Sequence, residues 1–237
     1  MAGLLVLWDV DFTLVDAGGI GWHLYELAFT EMFGEPPPRP SSLAGRTDRA
    51  IALEVLALAG QPDPRQQVAA FEAVMAARAP ELAGLVRERG VALPGAAAAM
   101  AALADGHRPQ AVVQSLLTGN IRPLAEVKLG PLGLTRHLDL DVGAYGDASA
   151  VRAELVDVAR RGAALTYRRS FAGEATVLVG DTPLDVGAAL ASGARGVGVA
   201  TGLFSAGELA AAGAHAVLPD LTDTGRVLAA ILGLPRP

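Results

Sequence analysis

The chain has 237 residues, of which 51% are hydrophobic and 19% are charged. This composition is typical of a globular protein with a substantial core and excludes a disordered or fibrous chain. The net charge of −6 argues against nucleic acid and anionic membrane surfaces as partners, and the lack of cysteine excludes disulfides, thiol catalysis and cysteine-ligated metals.

The N-terminal segment carries no signal for targeting or membrane insertion. Its apolar run has no basic region before it and is interrupted at Asp9. No uncharged apolar stretch reaches the roughly 18 residues that a membrane span requires. The sequence therefore predicts a cytoplasmic protein with no membrane partner.

The first predicted element is a buried strand over residues 4–8, because a short continuous apolar run is typical of parallel sheets. From about residue 20 to residue 90 the apolar residues recur at helical spacing instead. Four helices are predicted there, the second capped by Thr47 and the third preceded by Asp63; they cover residues 19–34, 48–59, 64–78 and 80–89. This stretch is interpreted as an all-helical insertion after the first strand.

Beyond residue 90 the predicted strands and helices alternate. Strands are predicted at 111–117, 138–142, 176–179, 196–200 and 216–218, and helices at 95–105, 120–130, 149–169, 183–192, 205–213 and 221–232. Such alternation indicates an α/β protein with a Rossmann-like, doubly wound parallel sheet covered by helices on both faces. The predicted domains are a catalytic core of residues 1–16 and 91–237 and a helical cap of residues 17–90.

Carboxylates cluster where two predicted strands end, which is where ligands bind in a doubly wound sheet. Asp9 and Asp11 follow the first strand, and Asp181 and Asp185 follow the strand at 176–179. Carboxylates this close repel each other unless a cation lies between them or one is protonated. Hard oxygen ligands suit Mg²⁺, a carboxylate can act as a covalent nucleophile, and a second acid can protonate a leaving alcohol.

A third strand end supplies polar groups of a different kind. Thr118, Gly119 and Asn120 follow the strand at 111–117 and begin a helix, where backbone amides bind anions and a glycine allows close approach. Lys128 follows one helix later. The chain has eighteen arginines but only this lysine, and Asn120 is its only asparagine. Because both residue types use A-rich codons, we infer that these two positions resisted a G+C-rich coding bias.

The order of these motifs resembles that of a known family. The ordered set of DVDFT, TGN, Lys128 and GDTPLD is similar to the haloacid dehalogenase-like superfamily of phosphohydrolases. The helical insertion after the first motif resembles the subgroup with a small helical cap, typified by phosphoglycolate phosphatase. The resemblance extends over nearly the whole chain.

The resemblance implies a role for each acid. Asp9 would be the nucleophile and a Mg²⁺ ligand, and Asp11 would be the general acid/base and give its backbone carbonyl to the metal. Asp181 would ligate Mg²⁺, and Asp185 would support the metal shell.

The resemblance also implies how the phosphoryl group is held. Thr118 and the amides of Gly119 and Asn120 would bind it, and Lys128 would neutralise charge between the nucleophile and the phosphate. In the predicted cap, Arg46 is a candidate for binding a substrate anion, the alternative being an exposed arginine at a helix start.

One residue departs from the family pattern. Phe12 stands where the family usually has glycine, and a phenylalanine adopts positive φ only at a cost. Either the turn uses ordinary φ values, or Phe12 packs as a wall beside the pocket.

These observations predict a Mg²⁺-dependent phosphomonoesterase that hydrolyses a small phosphorylated metabolite through an aspartyl-phosphate. A sugar-phosphate mutase needs the same core and is the main alternative. Asp11 disfavours a 2-haloacid dehalogenase, because the enzymes of that kind lack an acid at this position. A phosphonatase is disfavoured because residues 17–90 contain no lysine to form a Schiff base. A non-catalytic binding module would have no reason to keep the four charges of Asp9, Asp11, Lys128 and Asp181 together. No oligomeric state is predicted.

Overall fold

The computed structural model describes residues 3–105 and 111–234, so the ends of the predicted core range lie outside the described residues. The described strands are β1 (Gly3–Trp8), β2 (Val15–Asp16), β3 (Val91–Ala92), β4 (Ala111–Leu116), β5 (Thr176–Gly180), β6 (Arg195–Val199) and β7 (Ala216–Leu218). Five of them form a parallel sheet in the order β4-β1-β5-β6-β7. The chain thus adds strands on one side of β1 and then on the other, which confirms the predicted doubly wound α/β fold.

Helices separate most of these strands. The described α-helices are α1 (Ile20–Phe33), α2 (Asp48–Leu58), α3 (Pro64–Arg78), α4 (Ala83–Arg89), α5 (Ala96–Ala104), α6 (Arg122–Leu129), α7 (Arg152–Tyr167), α8 (Pro183–Ala191), α9 (Ala206–Ala211) and α10 (Thr224–Leu232). Within the described ranges, none is both long and apolar enough to cross a bilayer.

The strand β1 separates two hydrophobic clusters. Leu4 and Val6 face one cluster, while Leu5 and Leu7 face the other, as the period of two along a strand requires. All six residues of β1 are buried, because helices cover the sheet on both faces. This burial explains why the strand appears in the sequence as an unbroken apolar run.

The helices α1 to α4 lie between the strands of a short antiparallel ribbon. Val15 pairs with Ala92 where the chain leaves and re-enters the region of the main sheet. Two caps are confirmed, because the Thr47 and Asp63 side chains accept hydrogen bonds from amides in the first turns of α2 and α3. Phe71 on α3 belongs to the same hydrophobic cluster as one face of the sheet. The predicted domain boundaries, between residues 16 and 17 and between residues 90 and 91, lie next to this ribbon and stay a prediction.

The predicted strand at 138–142 is wrong. Residues Leu140–Val142 form a 3₁₀ turn, capped by the Asp139 side chain, which accepts a hydrogen bond from the Asp141 amide. Beside β4 the Asp139 amide donates a hydrogen bond to the Gln114 carbonyl at 2.8 Å, and an isolated bridge between Leu117 and Ala144 follows it. The capping carboxylate offers this segment local hydrogen bonds that compete with strand pairing.

Candidate active site

Three carboxylates converge at the C-terminal ends of β1 and β5. One oxygen from each of Asp9, Asp181 and Asp185 lies within 4.8 Å of the other two, and all three residues are buried. The central position of β1 beside β5 brings Asp9 to Asp181, and the first turn of α8 supplies Asp185. The structure therefore brings together three of the four predicted metal-binding residues through their side chains.

The electrostatics of this cluster suit a divalent cation. Burial raises the pKa of Asp9 to about 7, and repulsion from Asp185 and Asp11 adds to the effect. Burial and repulsion from Asp9 and Asp185 raise the pKa of Asp181 to about 8. Carboxylates are the hard oxygen ligands that divalent cations such as Mg²⁺ take, and a cation would relieve their repulsion, so the residues present fit such an ion.

A buried arginine, which the sequence analysis did not single out, balances part of this charge. Nη2 of Arg152 lies 2.9 Å from an oxygen of Asp9 and 2.5 Å from an oxygen of Asp185. Its Nη1 donates a hydrogen bond of 3.1 Å to the carbonyl of Gly45, before α2. Among the described residues, its Nε is the one buried side-chain polar atom without a partner. The available sequence signal was its position in the first turn of a predicted helix. In a chain with eighteen arginines, that signal does not distinguish Arg152 from the others.

Lys128 lines the cavity and binds Asp11 and Asn120. Its Nζ lies 2.6 and 2.7 Å from the two carboxylate oxygens of Asp11 and 2.7 Å from Oδ1 of Asn120. The Asn120 amide also donates to Asp11, at 2.8 Å. The cation in contact with Asp9 is Arg152, while Lys128 lines the same cavity as Asp9, so its role between the nucleophile and the phosphate stays a prediction. Lys128 occupies the last turn of α6, and its side chain reaches Asp11 from there.

The loop before α6 orients a hydroxyl. The Thr118 oxygen accepts hydrogen bonds from the backbone and side-chain nitrogens of Asn120, at 3.2 and 2.8 Å. Because both bonds use lone pairs of the oxygen, the hydroxyl proton is available to another acceptor. Thr118 is buried and lines the cavity described below.

Gly119 allows a close approach, but the approaching atom belongs to this chain. A Cβ at Gly119 would lie 2.0 Å from the carbonyl oxygen of Arg46, before α2. The amide of Asp48 also donates to the Gly119 carbonyl, at 2.6 Å. The backbone preceding α2 therefore fills the space that a side chain would take, while Gly119 lines the cavity and its role toward a ligand stays a prediction.

Asp48 joins the N-terminus of α2 to the loop before α6. Its carboxylate accepts hydrogen bonds from the Ile121 amide at 2.8 Å and from the Tyr25 hydroxyl at 3.0 Å. Burial raises its pKa to about 6, while the Ile121 amide opposes that shift. Part of the helix N-terminus that was predicted to bind phosphate is thus bound by a carboxylate of the chain itself.

Arg46 has partners within the chain on both sides of it. Its Nη1 lies 2.6 Å from Glu54 and donates to the carbonyl of Ser42 at 3.0 Å. Arg46 also lines the cavity, but its substrate-binding role stays a prediction.

Phe12 adopts the backbone conformation that favours glycine. Its φ is 54°, its amide donates to the Val15 carbonyl at 2.7 Å, and its carbonyl accepts a hydrogen bond from the Thr201 hydroxyl. The ordinary-φ alternative is wrong, whereas the expectation of a wall beside the pocket is confirmed, because Phe12 lines the cavity. Hydrogen bonds at both peptide groups hold the turn against the steric cost.

The candidate catalytic and phosphate-binding residues line one cavity of about 740 Å³. Asp9, Thr118 and Asp181 contribute to its wall from the sheet, and Trp22 and Ile51 contribute from the helices between β2 and β3. A ligand bound at the carboxylates would therefore also meet the predicted cap.

Sequence comparison bears directly on this site. The family model described as haloacid dehalogenase-like hydrolase matches residues 6–190, which include the first and last of the acidic motifs. The chain belongs to this hydrolase family. A comparison with curated proteins finds no match.

Solved structures share the fold of this haloacid dehalogenase-like hydrolase. A hydrolase from Pseudomonas syringae has a TM-score of 0.63 and 20% identity over 93% of this chain and 95% of that one. A predicted phosphatase from Clostridium acetobutylicum has a TM-score of 0.65 and 16% identity over 96% and 99%. A protein provisionally named β-phosphoglucomutase, from Bacteroides vulgatus, has a TM-score of 0.63 and 14% identity over 98% and 90%.

The raised carboxyl pKa values predict how the stability of this hydrolase depends on pH. In the metal-free protein the pKa values of Asp48, Asp9 and Asp181 are about 6, 7 and 8, against 3.8 for an ordinary aspartate. The folded state therefore binds more protons than the unfolded state, and the free energy of unfolding falls as pH rises from about 4 to 8. We expect a lower Tm at pH 8 than at pH 5.5 in EDTA, measured by circular dichroism.

Mg²⁺ is expected to reverse this loss at pH 8. At a concentration of about 100 Kd, a ligand specific to the folded state stabilises it by about 2.7 kcal/mol, which is about 5–10 °C for a chain of this size. The variant Asp181→Asn is the control and should lose most of the response. A Tm that changes neither with pH nor with added Mg²⁺ would contradict a buried acidic cluster that binds a cation.

Proposed function

We propose that this hydrolase is a Mg²⁺-dependent phosphomonoesterase that acts on a small phosphorylated metabolite through an aspartyl-phosphate. The observation that carries the proposal is the convergence of Asp9, Asp181 and Asp185 within 4.8 Å, with Asp9 and Asp181 lining the same cavity as Thr118. Oxygen ligands, a nucleophilic carboxylate and a hydroxyl donor are the groups that phosphoryl transfer requires.

Asp9 is proposed as the nucleophile. Arg152 binds its Oδ1 at 2.9 Å, which fixes the carboxylate and favours its ionised form. A carboxylate oxygen of Asp9 attacks phosphorus, and the bond between phosphorus and the substrate's ester oxygen breaks. Thr118 donates its hydroxyl proton to a phosphoryl oxygen as a hydrogen bond, and the amides of Gly119 and Asn120 stay candidates for the same role.

Asp11 is proposed as the general acid and base. Its carboxyl proton passes to the leaving alcohol oxygen, and in the second step it takes a proton from the water that attacks phosphorus and restores Asp9. In this structure both of its oxygens are bound by Lys128. Proton transfer therefore requires one oxygen to be released. Lys128 is proposed to position Asp11 and, from the wall of the same cavity, to neutralise charge between Asp9 and the phosphate.

The proposed metal ligands are Asp9, Asp181 and the backbone carbonyl of Asp11. When bound, Mg²⁺ would neutralise charge on the phosphoryl oxygens and reduce repulsion from Asp9. Asp185 accepts hydrogen bonds from Arg152 and from the Thr182 amide and hydroxyl, so it supports this arrangement from behind.

A sugar-phosphate mutase would use the same groups but would have to retain a second phosphate under the cap. Two arginines from the predicted cap line the cavity in the described part of the chain. Arg46 is bound to Glu54 at 2.6 Å, and Arg39 lies over the Trp22 ring at 4.8 Å from its centroid. The engagement of Arg46 favours the hydrolase over the mutase.

The experiment that tests this function is release of phosphate from p-nitrophenyl phosphate by the purified full chain. We expect activity with Mg²⁺ and none in excess EDTA, with recovery when Mg²⁺ is returned. Turnover that continues in EDTA would contradict the proposed metal requirement.

Replacement of Asp11 by asparagine is expected to slow turnover by about 10²–10⁴, as loss of a general acid/base does. The amide keeps the size of the side chain but cannot transfer the proton. The measurement is kcat with p-nitrophenyl phosphate at saturating Mg²⁺, with the folded state checked by its thermal melt. An unchanged kcat would remove Asp11 from this role.

A further inference from the structure

Three of the residues that line the catalytic cavity are apolar and exposed, and they form its rim. Phe12, Leu43 and Leu203 all line it, and their residues are 40%, 38% and 79% exposed. They come from the turn after β1, the segment before α2 and the loop after β6. Single exposed leucines are ordinary, but three apolar side chains around one opening form a surface that a ligand would cover.

The wall behind this rim is also apolar. Ile20, Trp22 and Ile51 line the cavity from α1 and α2, and each of them is buried in the protein. On the same side Arg46 pairs with Glu54 and His23 lies 3.4 Å from Glu26, while Arg39 lies over the Trp22 ring. A substrate body that lies here therefore meets hydrocarbon surface more than free charge.

The backbone conformation of Phe12 indicates that its ring contributes to ligand binding. A φ of 54° disfavours every residue with a Cβ, at about 1–2 kcal/mol, and glycine would avoid this cost. Strain of this kind gathers where a side chain serves a ligand. The strained residue carries an aromatic ring, which is exposed at the mouth of the cavity.

The size of the cavity leads to the same conclusion. Its volume of about 740 Å³ lies within the range of about 300–1,000 Å³ that is typical of sites for drug-sized ligands. We propose that the substrate is a phosphomonoester with a large apolar body, which runs from the phosphate at Asp9 to the rim formed by Phe12, Leu43 and Leu203. This inference rests on the proposed phosphatase function and narrows its substrate class.

Binding of non-hydrolysable phosphonates tests the inference without turnover. Isothermal titration with methyl-, butyl- and octylphosphonate in Mg²⁺ should show affinity that rises about two- to fourfold per methylene. An atom-matched pair adds a charge test, since 3-methylbutylphosphonate should bind at least about tenfold more tightly than 3-phosphonopropionate. Equal affinities along the series overturn the proposal, and so does preference for the carboxylate, which would make Arg39 the anion-binding group.

A matched pair of leucine variants tests the rim. Leu203 and Leu165 are 79% and 82% exposed, but Leu165 lies on α7 and does not line the cavity. Leu203→Ser should lower the ratio of octyl- to methylphosphonate affinity by about fivefold or more, whereas Leu165→Ser should leave it unchanged. An equal effect of the two changes overturns the proposal. So does a shift in oligomeric state with Leu203→Ser alone, because the leucine would then serve a contact between copies.

The glycine variant of Phe12 separates binding from folding. Phe12→Gly removes both the ring and the backbone strain, so the affinity ratio should fall without a loss of Tm. An unchanged ratio overturns the role of the ring.

Failure of the inference differs from failure of the proposed function. If octylphosphonate binds in the expected order but neither methyl nor octyl phosphate is hydrolysed, the phosphatase proposal fails while the apolar site stands. If both esters are hydrolysed and the phosphonates bind alike, the phosphatase stands and the apolar substrate class is wrong.

Discussion

Replacement of Asp9 by asparagine is expected to abolish phosphate release from p-nitrophenyl phosphate, with a loss in kcat of at least about 10⁴. The amide has the size of the carboxylate, and its oxygen can still accept the hydrogen bond that Arg152 donates at 2.9 Å. It cannot attack phosphorus, because the neutral group is a poor nucleophile. Initial rates at saturating Mg²⁺ measure the effect.

The matched control is Asp157→Asn, an exposed carboxylate on α7 that pairs weakly with Arg160 at 3.7 Å. It should keep full activity, since the change removes the same charge away from the cavity. Activity that survives in the Asp9 variant would place the nucleophile elsewhere in the chain.

Loss of Arg152 is expected to have the largest effect on stability. Arg152→Met leaves Asp9 and Asp185 buried with no cation in contact, because the one guanidinium pairs with both. Removal of one partner from a buried ion pair costs about 3–5 kcal/mol, and the free energy of unfolding in urea, measured in EDTA at pH 8, should fall by that amount. Activity should fall as well, because the nucleophile loses the group that fixes it.

Arg161→Met is the control, since this arginine lies on the same helix and is exposed. Its effect should stay within about 0.5 kcal/mol. Mg²⁺ should recover part of the loss in Arg152→Met, because the cation would neutralise the same carboxylates. Equal stabilities of the two variants would show that Arg152 does not balance this cluster.

Local features of the sequence were enough to predict most elements of the fold. The helix that begins after Asp63 at Pro64 ends at Arg78 as expected, because a capping carboxylate and a proline both act on the first turn. The strand β1 was evident from its apolar run, because both faces of the sheet are covered. The segment at 138–142 was mispredicted as a strand. The Asp139 side chain accepts a hydrogen bond from the nearby Asp141 amide, and this local bond stabilises a 3₁₀ turn instead.

The acidic cluster was also predictable. Asp9 and Asp181 directly follow strands, and the carboxyl ends of parallel strands meet at one edge of the sheet. Their separation in sequence is large, yet the strand order alone brings their oxygens within 4.8 Å. Topology therefore connected the sequence to the site in this case.

The sequence by itself determined the strands of the main sheet, the caps at Thr47 and Asp63 and which acids gather at the carboxyl edge, because hydrophobic period and capping are set by neighbours in the chain. Only the tertiary structure decided that Arg152 pairs with Asp9, that Lys128 pairs with Asp11, and that Asp48 binds the start of α6. These partners are distant in sequence, and the sequence does not mark Arg152 out among eighteen arginines. The physical reason is that helix packing selects which cation is buried beside which anion, and periodicity carries no record of that choice.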